Sequence, residues 1–128
     1  MRWLLDTNTI IDAFAGKADA VKALAKARSD AVEWVGYSAV TRLEVLGFAG
    51  LNASDDYGLR ELLDQFNEAS ITAAVINEAF RIRKSIRIKA PDAIIAATAI
   101  VFQAKVVTRN IADFNGIPGL AVIDPTTL

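Results

Sequence analysis

Short apolar runs alternate along the chain with longer stretches in which apolar residues recur every three or four positions. The short runs predict strands, the third of them weak, at 3–5, 34–37, 70–72, 105–108 and 120–123. The periodic stretches predict helices at 10–14, 18–28, 38–46, 59–66, 73–88 and 91–104, and residues 110–116 have turn composition. Strands without polar alternation, each separated from the next by a helix, favour a parallel sheet covered by helices on both faces. We therefore expect one doubly wound α/β domain spanning residues 1–128.

Composition limits the class of protein further. The hydrophobic fraction is 53% over 128 residues, enough for a substantial core, yet no apolar run approaches the roughly 20 residues that cross a membrane. Met1 and Arg2 lead directly into a strand-like run, so we expect no secretory leader. There is no cysteine, which excludes a disulfide framework and thiolate chemistry and fits a cytoplasmic protein.

The absence of histidine narrows the possible chemistry more than any other feature. It excludes Ser-His nucleophiles, imidazole general bases and His-ligated zinc. Acid–base or metal chemistry must therefore rest on carboxylates. The net charge of −1 argues against a generic polyanion binder.

Four acidic residues from distant stretches are predicted to meet at one edge of the sheet. Asp6 follows the first strand, and Asp113 lies just beyond the strand at 105–108. Glu44 is on the helix after the second strand, and Asp92 begins the helix that leads into the strand at 105–108. With right-handed crossovers, all four belong at the carboxyl ends of the strands, where ligands bind in such sheets.

Each acid also has a purely structural explanation. Asp6 could cap the next helix, Asp92 suits a first helical turn after Pro91, and Asp113 suits an Asn/Gly turn. Glu44 is different, because Val40 one turn before it and Phe48 one turn after it predict a side chain emerging along an apolar stripe. A buried, unpaired carboxylate costs several kcal/mol, and a divalent cation would pair several acids at once.

Taken together, the cluster favours a metal site. Oxygen-only ligands select Mg²⁺ or Mn²⁺, and either ion can orient a water and neutralise charge on a phosphoryl group. The residues alone therefore predict metal-dependent phosphodiester hydrolysis.

Four segments of the chain carry a resemblance to a known family: LLDTNTIIDAF (4–14), SAVTRLEVLGF (38–48), PDAIIAATAI (91–100) and VVTRNIADFNGIPGL (106–120). Together they resemble the PIN-domain ribonucleases, in particular the VapC-type toxins of toxin–antitoxin pairs. The resemblance implies a three-layer α/β/α sandwich around a parallel sheet, with Mg²⁺ or Mn²⁺ held by three or four acids. It further implies an endoribonuclease that forms a homodimer and is inhibited by a small antitoxin protein.

The same resemblance assigns roles to residues. It gives Asp6, Glu44 and Asp92 the three core acid positions. Its fourth position lies within TRNIADF, where Asp113 is favoured over Asn110 as the acid and Asn110 is expected as a polar helper. Two further polar residues are expected to orient ligands or bind a phosphate; they are Asn8 and Thr108. The chain departs from the family pattern at Ala104, where glycine is usual, and in 87–90.

Two surface features have competing interpretations. The run FRIRKSIRIK (80–89) carries five cations and no acid and ends just before Asp92. A solvated helix face is one explanation, and RNA contact through Arg83 and Arg87 is the other. The stretch VLGFAGL (45–51) is expected to pack in the core, with a dimer or antitoxin groove as the alternative.

Two other functions compete with the ribonuclease. An aspartyl-phosphate phosphatase would use Asp6 as a nucleophile, but that chemistry needs an acid where this chain has Asn8 and a lysine where it has Thr108. A catalytically silent module that binds RNA or a partner is the second alternative, although all the expected acids are present.

Overall fold

The computed structural model describes residues 1–29 and 31–128 and contains a parallel five-stranded sheet. The strands are β1 (Arg2–Leu5), β2 (Trp34–Ser38), β3 (Asn67–Ala69), β4 (Lys105–Val107) and β5 (Val122–Ile123). Their spatial order is β3-β2-β1-β4-β5, and every neighbouring pair is parallel. The expected α/β class with a central parallel sheet is thereby confirmed.

Helices cover both faces of this sheet. They are α1 (Thr7–Phe14), α2 (Ala18–Ala27), α3 (Ala39–Leu46), α4 (Ala53–Leu63), α5 (Ala73–Ser85), α6 (Ala90–Val101) and the short α7 (Ile111–Phe114), followed by a 3₁₀ turn at Pro125–Thr127. Side chains satisfy the free backbone N–H groups where several of them begin, as Ser38, Asn52 and Thr72 do for α3, α4 and α5.

The core has two parts, one on each side of the sheet. On one side Leu4 and Val106 of the strands pack against α5 and α6. On the other side Trp3, Leu5 and Val107 pack against α1, α2 and α4. Helix α6 is buried along most of its length, as its almost entirely apolar sequence predicts. The result is the three-layer α/β/α sandwich that the sequence indicates.

Several predicted element bounds differ from the structure. The third strand lies at Asn67–Ala69, not at 70–72, because those residues form the connection whose Thr72 caps α5. Helix α5 ends at Ser85 instead of 88, since the backbone becomes extended at Ile86. The turn region 110–116 includes the single turn of α7.

The strand order creates a crevice between β1 and β4. The chain leaves β1 toward β2 and β3 and then crosses back to form β4 on the opposite side of β1. In open parallel sheets such a reversal of direction leaves an opening at the carboxyl ends of the two strands. Asp6 and Thr108 are the first residues beyond these ends. No helix within residues 1–29 and 31–128 has the length and apolar character to cross a membrane.

Candidate active site

Asp6 is fixed by hydrogen bonds at the end of β1, and it also caps α1. Its Oδ1 accepts a bond from the Thr7 backbone N–H at 2.8 Å. Its Oδ2 accepts bonds from the Thr108 hydroxyl at 2.7 Å and from the Asn8 side-chain amide at 2.9 Å. The residue is only 4% exposed. The capping and the sheet-edge explanations of Asp6 are therefore both correct.

Burial raises the pKa of Asp6 to about 6. The hydrogen bonds from Thr108 and Thr7 lower that pKa, while the negative charges of Asp92 and Glu44 raise it further. Burial also raises the pKa of Asp92, with the charges of Asp113 and Glu44 acting in the same direction and Lys89 against them. The charges of Glu44 and Asp92 thus act on Asp6, and those of Glu44 and Asp113 act on Asp92, which places the four carboxylates near one another.

Asp92 and Asp113 line the same open cavity, whose volume is about 520 Å³. Asp92 is half-buried in the first turn of α6, which contains Pro91, and Asp113 is exposed on α7. The cavity wall also contains three cations, Arg83, Arg87 and Lys89. Acids and cations therefore face a common space large enough for part of a polyanionic chain.

The predicted burial of Glu44 is wrong. Its side chain is exposed on α3, and its Oε1 accepts a hydrogen bond from the Thr7 hydroxyl at 2.8 Å. Val40 is buried as expected, but α3 ends at Leu46, so Phe48 does not continue the helical stripe and is 66% exposed. Core packing of 45–51 therefore holds for Val45 but not for Phe48. Glu44 therefore belongs to this edge of the sheet through its charge and its contact with Thr7. It is not a buried carboxylate whose charge must be neutralised in the core.

The three polar residues expected beside the acids have different contacts. Asn8 donates to Asp6 and also to the Thr108 hydroxyl, at 3.2 Å. Thr108 is fully buried, and its hydroxyl accepts the backbone N–H of Asn110 at 3.0 Å. Asn110 supports the site through its backbone, whereas Asp113 contributes a charge that acts on Asp92.

Two threonines at this site escaped the sequence interpretation. Thr7 contacts Glu44, and its hydroxyl lies 3.0 Å from that of the fully buried Thr41. Thr7 stands between Asp6 and Asn8 in the sequence, which was the available signal. The direction of its side chain depends on how α1 packs on α3, and no local pattern specifies that packing.

The carboxylate oxygens of this site are the type of ligand that a hard divalent cation prefers. All four acids supply oxygen, and the neighbouring negative charges raise the pKa of Asp6 and of Asp92. Over residues 1–29 and 31–128, no group of three acids is close enough to form a ready-made metal cage. Mg²⁺ commonly keeps several waters and uses only one or two carboxylates, so an open arrangement suits it better than a closed one.

Comparison with known proteins gives the family. Residues 3–119 match the PIN domain family model, so the chain belongs to the PIN-domain family. A chain of a toxin–antitoxin complex from Klebsiella pneumoniae is 35% identical, with a TM-score of 0.80 and 95% and 96% of the two chains covered. FitAcB from Neisseria gonorrhoeae contains a chain 30% identical, with a TM-score of 0.77 and coverage of 98% and 99%.

VapBC2 from Rickettsia felis, bound to a promoter DNA fragment, contains a chain with a TM-score of 0.84. That chain is 21% identical, with coverage of 96% and 98%, and at this identity it shows the fold alone. No curated protein sequence matches this chain. The predicted resemblance to PIN domains of the VapC type is confirmed.

Proposed function

We propose that this protein is a metal-dependent endoribonuclease and the toxin of a toxin–antitoxin pair. The observation that best supports the proposal is the meeting of four acids, Asp6, Glu44, Asp92 and Asp113, where the sheet reverses its strand order. The raised pKa values of Asp6 and Asp92, to which their acidic neighbours contribute, are what a site adapted to positive charge would produce.

These four carboxylates would hold Mg²⁺, with Mn²⁺ as a substitute. A bound ion of this kind lowers the pKa of a water and neutralises the charge that develops on the phosphoryl oxygens. The chain's own contribution is positional: Thr108 and Asn8 hold the Asp6 carboxylate in one orientation, and Thr7 does the same for Glu44. Because the sequence has no histidine, proton transfer from the attacking water falls to a carboxylate.

RNA is the substrate we propose, bound through its phosphate backbone. Arg83 and Arg87 line the cavity that contains Asp92 and Asp113, so a strand held by these arginines passes the acids. The basic run 80–89 is then a substrate-binding surface and not merely a solvated helix face.

The partner we propose is a small antitoxin protein, and the protein itself would be a homodimer in the cytoplasm. The Klebsiella and Neisseria chains described above are at least 30% identical, and the first is from a toxin–antitoxin complex. Leu43 and Phe48 are 69% and 66% exposed, and apolar surface of this kind is typical of a protein interface.

Cleavage of a mixed tRNA and rRNA pool tests the nuclease. We expect the purified protein to cleave RNA in the presence of Mg²⁺ and not in the presence of EDTA. The variant Asp6→Asn, which lacks one ligand charge, should not cleave RNA in either condition. Asp64→Asn is the matched control, because Asp64 is an exposed acid at the end of α4, outside the four-acid site.

The results separate the candidate functions. Cleavage that needs both metal and Asp6 would support the proposal. Normal Mn²⁺ binding without cleavage of any RNA would favour a silent binding module, and turnover of p-nitrophenyl phosphate would favour a phosphatase. If Asp6→Asn binds metal and cleaves RNA as well as the unmodified protein does, the role assigned to Asp6 is wrong.

A further inference from the structure

A buried acid outside the four-acid site is paired with two cations. Asp12 lies on α1, is 7% exposed, and has no role in the proposed reaction. Its Oδ1 lies 3.3 Å from Lys17 Nζ, and its Oδ2 lies 3.0 Å from Arg109 Nε. The side chains of both cations are more than half exposed, so the carboxylate is the desolvated member of each pair.

Arg109 connects this acid to the turn that holds Asp6. It stands between Thr108 and Asn110, directly after β4. Its backbone N–H donates to Asn8 Oδ1 at 3.3 Å, and the amide of Asn8 donates to Asp6. Thr108, the preceding residue, donates to the same Asp6 oxygen. The guanidinium thus pairs with α1 while the backbone beside it contacts the residues that orient Asp6.

We propose that the Asp12–Arg109 ion pair is a positioning device that holds the 108–110 turn against α1 and thereby keeps Asn8 and Thr108 in place on Asp6. The proposal rests on the nuclease function only for its effect on the rate. Asp12→Asn leaves Arg109 without its carboxylate partner, and Arg109→Met removes the cation while Lys17 still pairs with Asp12. In either variant the turn loses this link to α1. Groups that orient a metal ligand typically change activity or metal affinity by about 10- to 100-fold when removed.

Two other roles would produce different results. Arg109 is an exposed cation near the acids and could contact RNA directly, in which case Asp12 would be dispensable. Asp12 could instead serve stability alone, in which case Lys17 and Arg109 would be equivalent partners. Lys17 is the discriminating residue, because it pairs with the same carboxylate but lies at the start of α2, away from the turn.

The test compares Asp12→Asn, Arg109→Met and Lys17→Met at a temperature at which thermal unfolding shows all three folded. Two quantities are measured: RNA cleavage in Mg²⁺, as kcat and KM separately, and the NMR signals of the Asn8 side-chain amide in metal-free protein. We expect Asp12→Asn and Arg109→Met to lower kcat about tenfold with KM unchanged, and to shift the Asn8 amide signals. Lys17→Met should leave kcat within about twofold and the amide signals in place.

Each other outcome overturns a specific claim. A raised KM in Arg109→Met with a normal Asp12→Asn would make Arg109 an RNA contact and end the proposal. Equal losses in all three variants, in proportion to their stability and with unmoved Asn8 signals, would reduce the pair to a structural role. If the unmodified protein cleaves no RNA, the nuclease proposal fails by itself. The Asn8 signals then decide the positioning claim, because unmoved signals in Asp12→Asn and Arg109→Met would overturn it.

Discussion

Thr7 has one hydroxyl proton, and the Glu44 carboxylate accepts it at 2.8 Å. The 3.0 Å contact between the hydroxyls of Thr7 and Thr41 must therefore be donated by Thr41. The two threonines form a short chain of hydrogen bonds that fixes one oxygen of Glu44. We predict that Thr7→Val lowers the rate of RNA cleavage about tenfold, whereas Thr7→Ser, which keeps the hydroxyl, retains most of it.

Steady-state cleavage rates at saturating Mg²⁺ measure this effect. Thr98→Val is the control, because it removes the same hydroxyl from a threonine that donates instead to the Ile94 carbonyl within α6. Similar rates for Thr7→Val and Thr98→Val would show that Glu44 needs no support from Thr7.

The raised pKa of Asp6 predicts how stability depends on pH in the absence of metal. Because its pKa is about 6 in the folded protein against 3.8 as the ordinary value, the folded state binds more protons than the unfolded state between these pH values. The contribution of Asp6 to the free energy of unfolding should therefore be highest below about pH 4. It should fall by about 3 kcal/mol as the pH rises from there through 6. Asp92, whose pKa is also raised, acts in the same direction.

Urea unfolding in EDTA at a series of pH values measures this dependence. In Asp6→Asn the fall between pH 4 and 7 should be much smaller, because the titrating group is gone. A slope unchanged from that of the unmodified protein would contradict the assignment to Asp6.

Single residues were predictable where topology alone determined their place. The order of elements determined the positions of Asp6, Asp92 and Asp113, because each lies next to the end of an element that must meet one edge of a parallel sheet. The exposure of Glu44 could not be predicted in this way, because it depends on where α3 ends and on what packs beyond it. The hydroxyls of Thr7 and Thr41 and the Asp12–Arg109 pair depend on contacts between elements far apart in the sequence.

At the scale of elements, the start of α3 determines how Glu44 is presented. The Ser38 hydroxyl accepts the Val40 backbone N–H at 3.2 Å, and Ser38 is also the last residue of β2. We predict that Ser38→Ala lowers the free energy of unfolding by about 1 kcal/mol and also slows cleavage severalfold, since α3 carries Glu44.

Thr72→Ala is the matched control for Ser38→Ala. Thr72 caps α5 through the same kind of bond, at 3.3 Å to the Val75 N–H, but that end of α5 carries no proposed catalytic group. Chemical denaturation and cleavage assays of both variants should show similar losses of stability but a loss of rate only in Ser38→Ala. Equal rates in the two variants would contradict the link between the cap and Glu44.

The element that sequence patterns misplaced is the edge strand β3. Residues 70–72 contain two β-branched residues and so have strand propensity, whereas Asn67–Ala69 has little. Pairing with β2 decides the matter: Gly36, Tyr37 and Ser38 align with 67–69. The Asn67 side chain also donates to the Val35 carbonyl at 2.9 Å. An exposed edge strand with one neighbour needs no apolar run, so the sequence carries little signal for it.

At the scale of the whole molecule, the alternation of strand and helix was sufficient to predict the architecture, because right-handed crossovers and short connections leave few alternatives. The distribution of charge was less predictable. The net charge is only −1, yet Arg83, Arg87 and Lys89 are gathered around one cavity with Asp92 and Asp113. This local excess of cations depends on how the end of α5 approaches the start of α6, and the overall balance conceals it.

That arrangement predicts a salt-dependent RNA affinity from a nearly neutral protein. Each arginine that contacts a phosphate releases counterions, so removing one contact from single-stranded RNA should reduce the slope of log K against log salt by about 0.7. We expect Arg83→Gln and Arg87→Gln each to weaken binding at low salt and to lower this slope, without changing thermal stability.

Arg81→Gln is the matched control, since Arg81 lies on the same helix but its Nε donates to Glu78 at 3.1 Å. Fluorescence anisotropy with a labelled RNA in EDTA, where no cleavage occurs, gives the slopes. If all three variants show the slope of the unmodified protein, RNA does not follow this cavity, and the cations of 80–89 form an ordinary solvated surface.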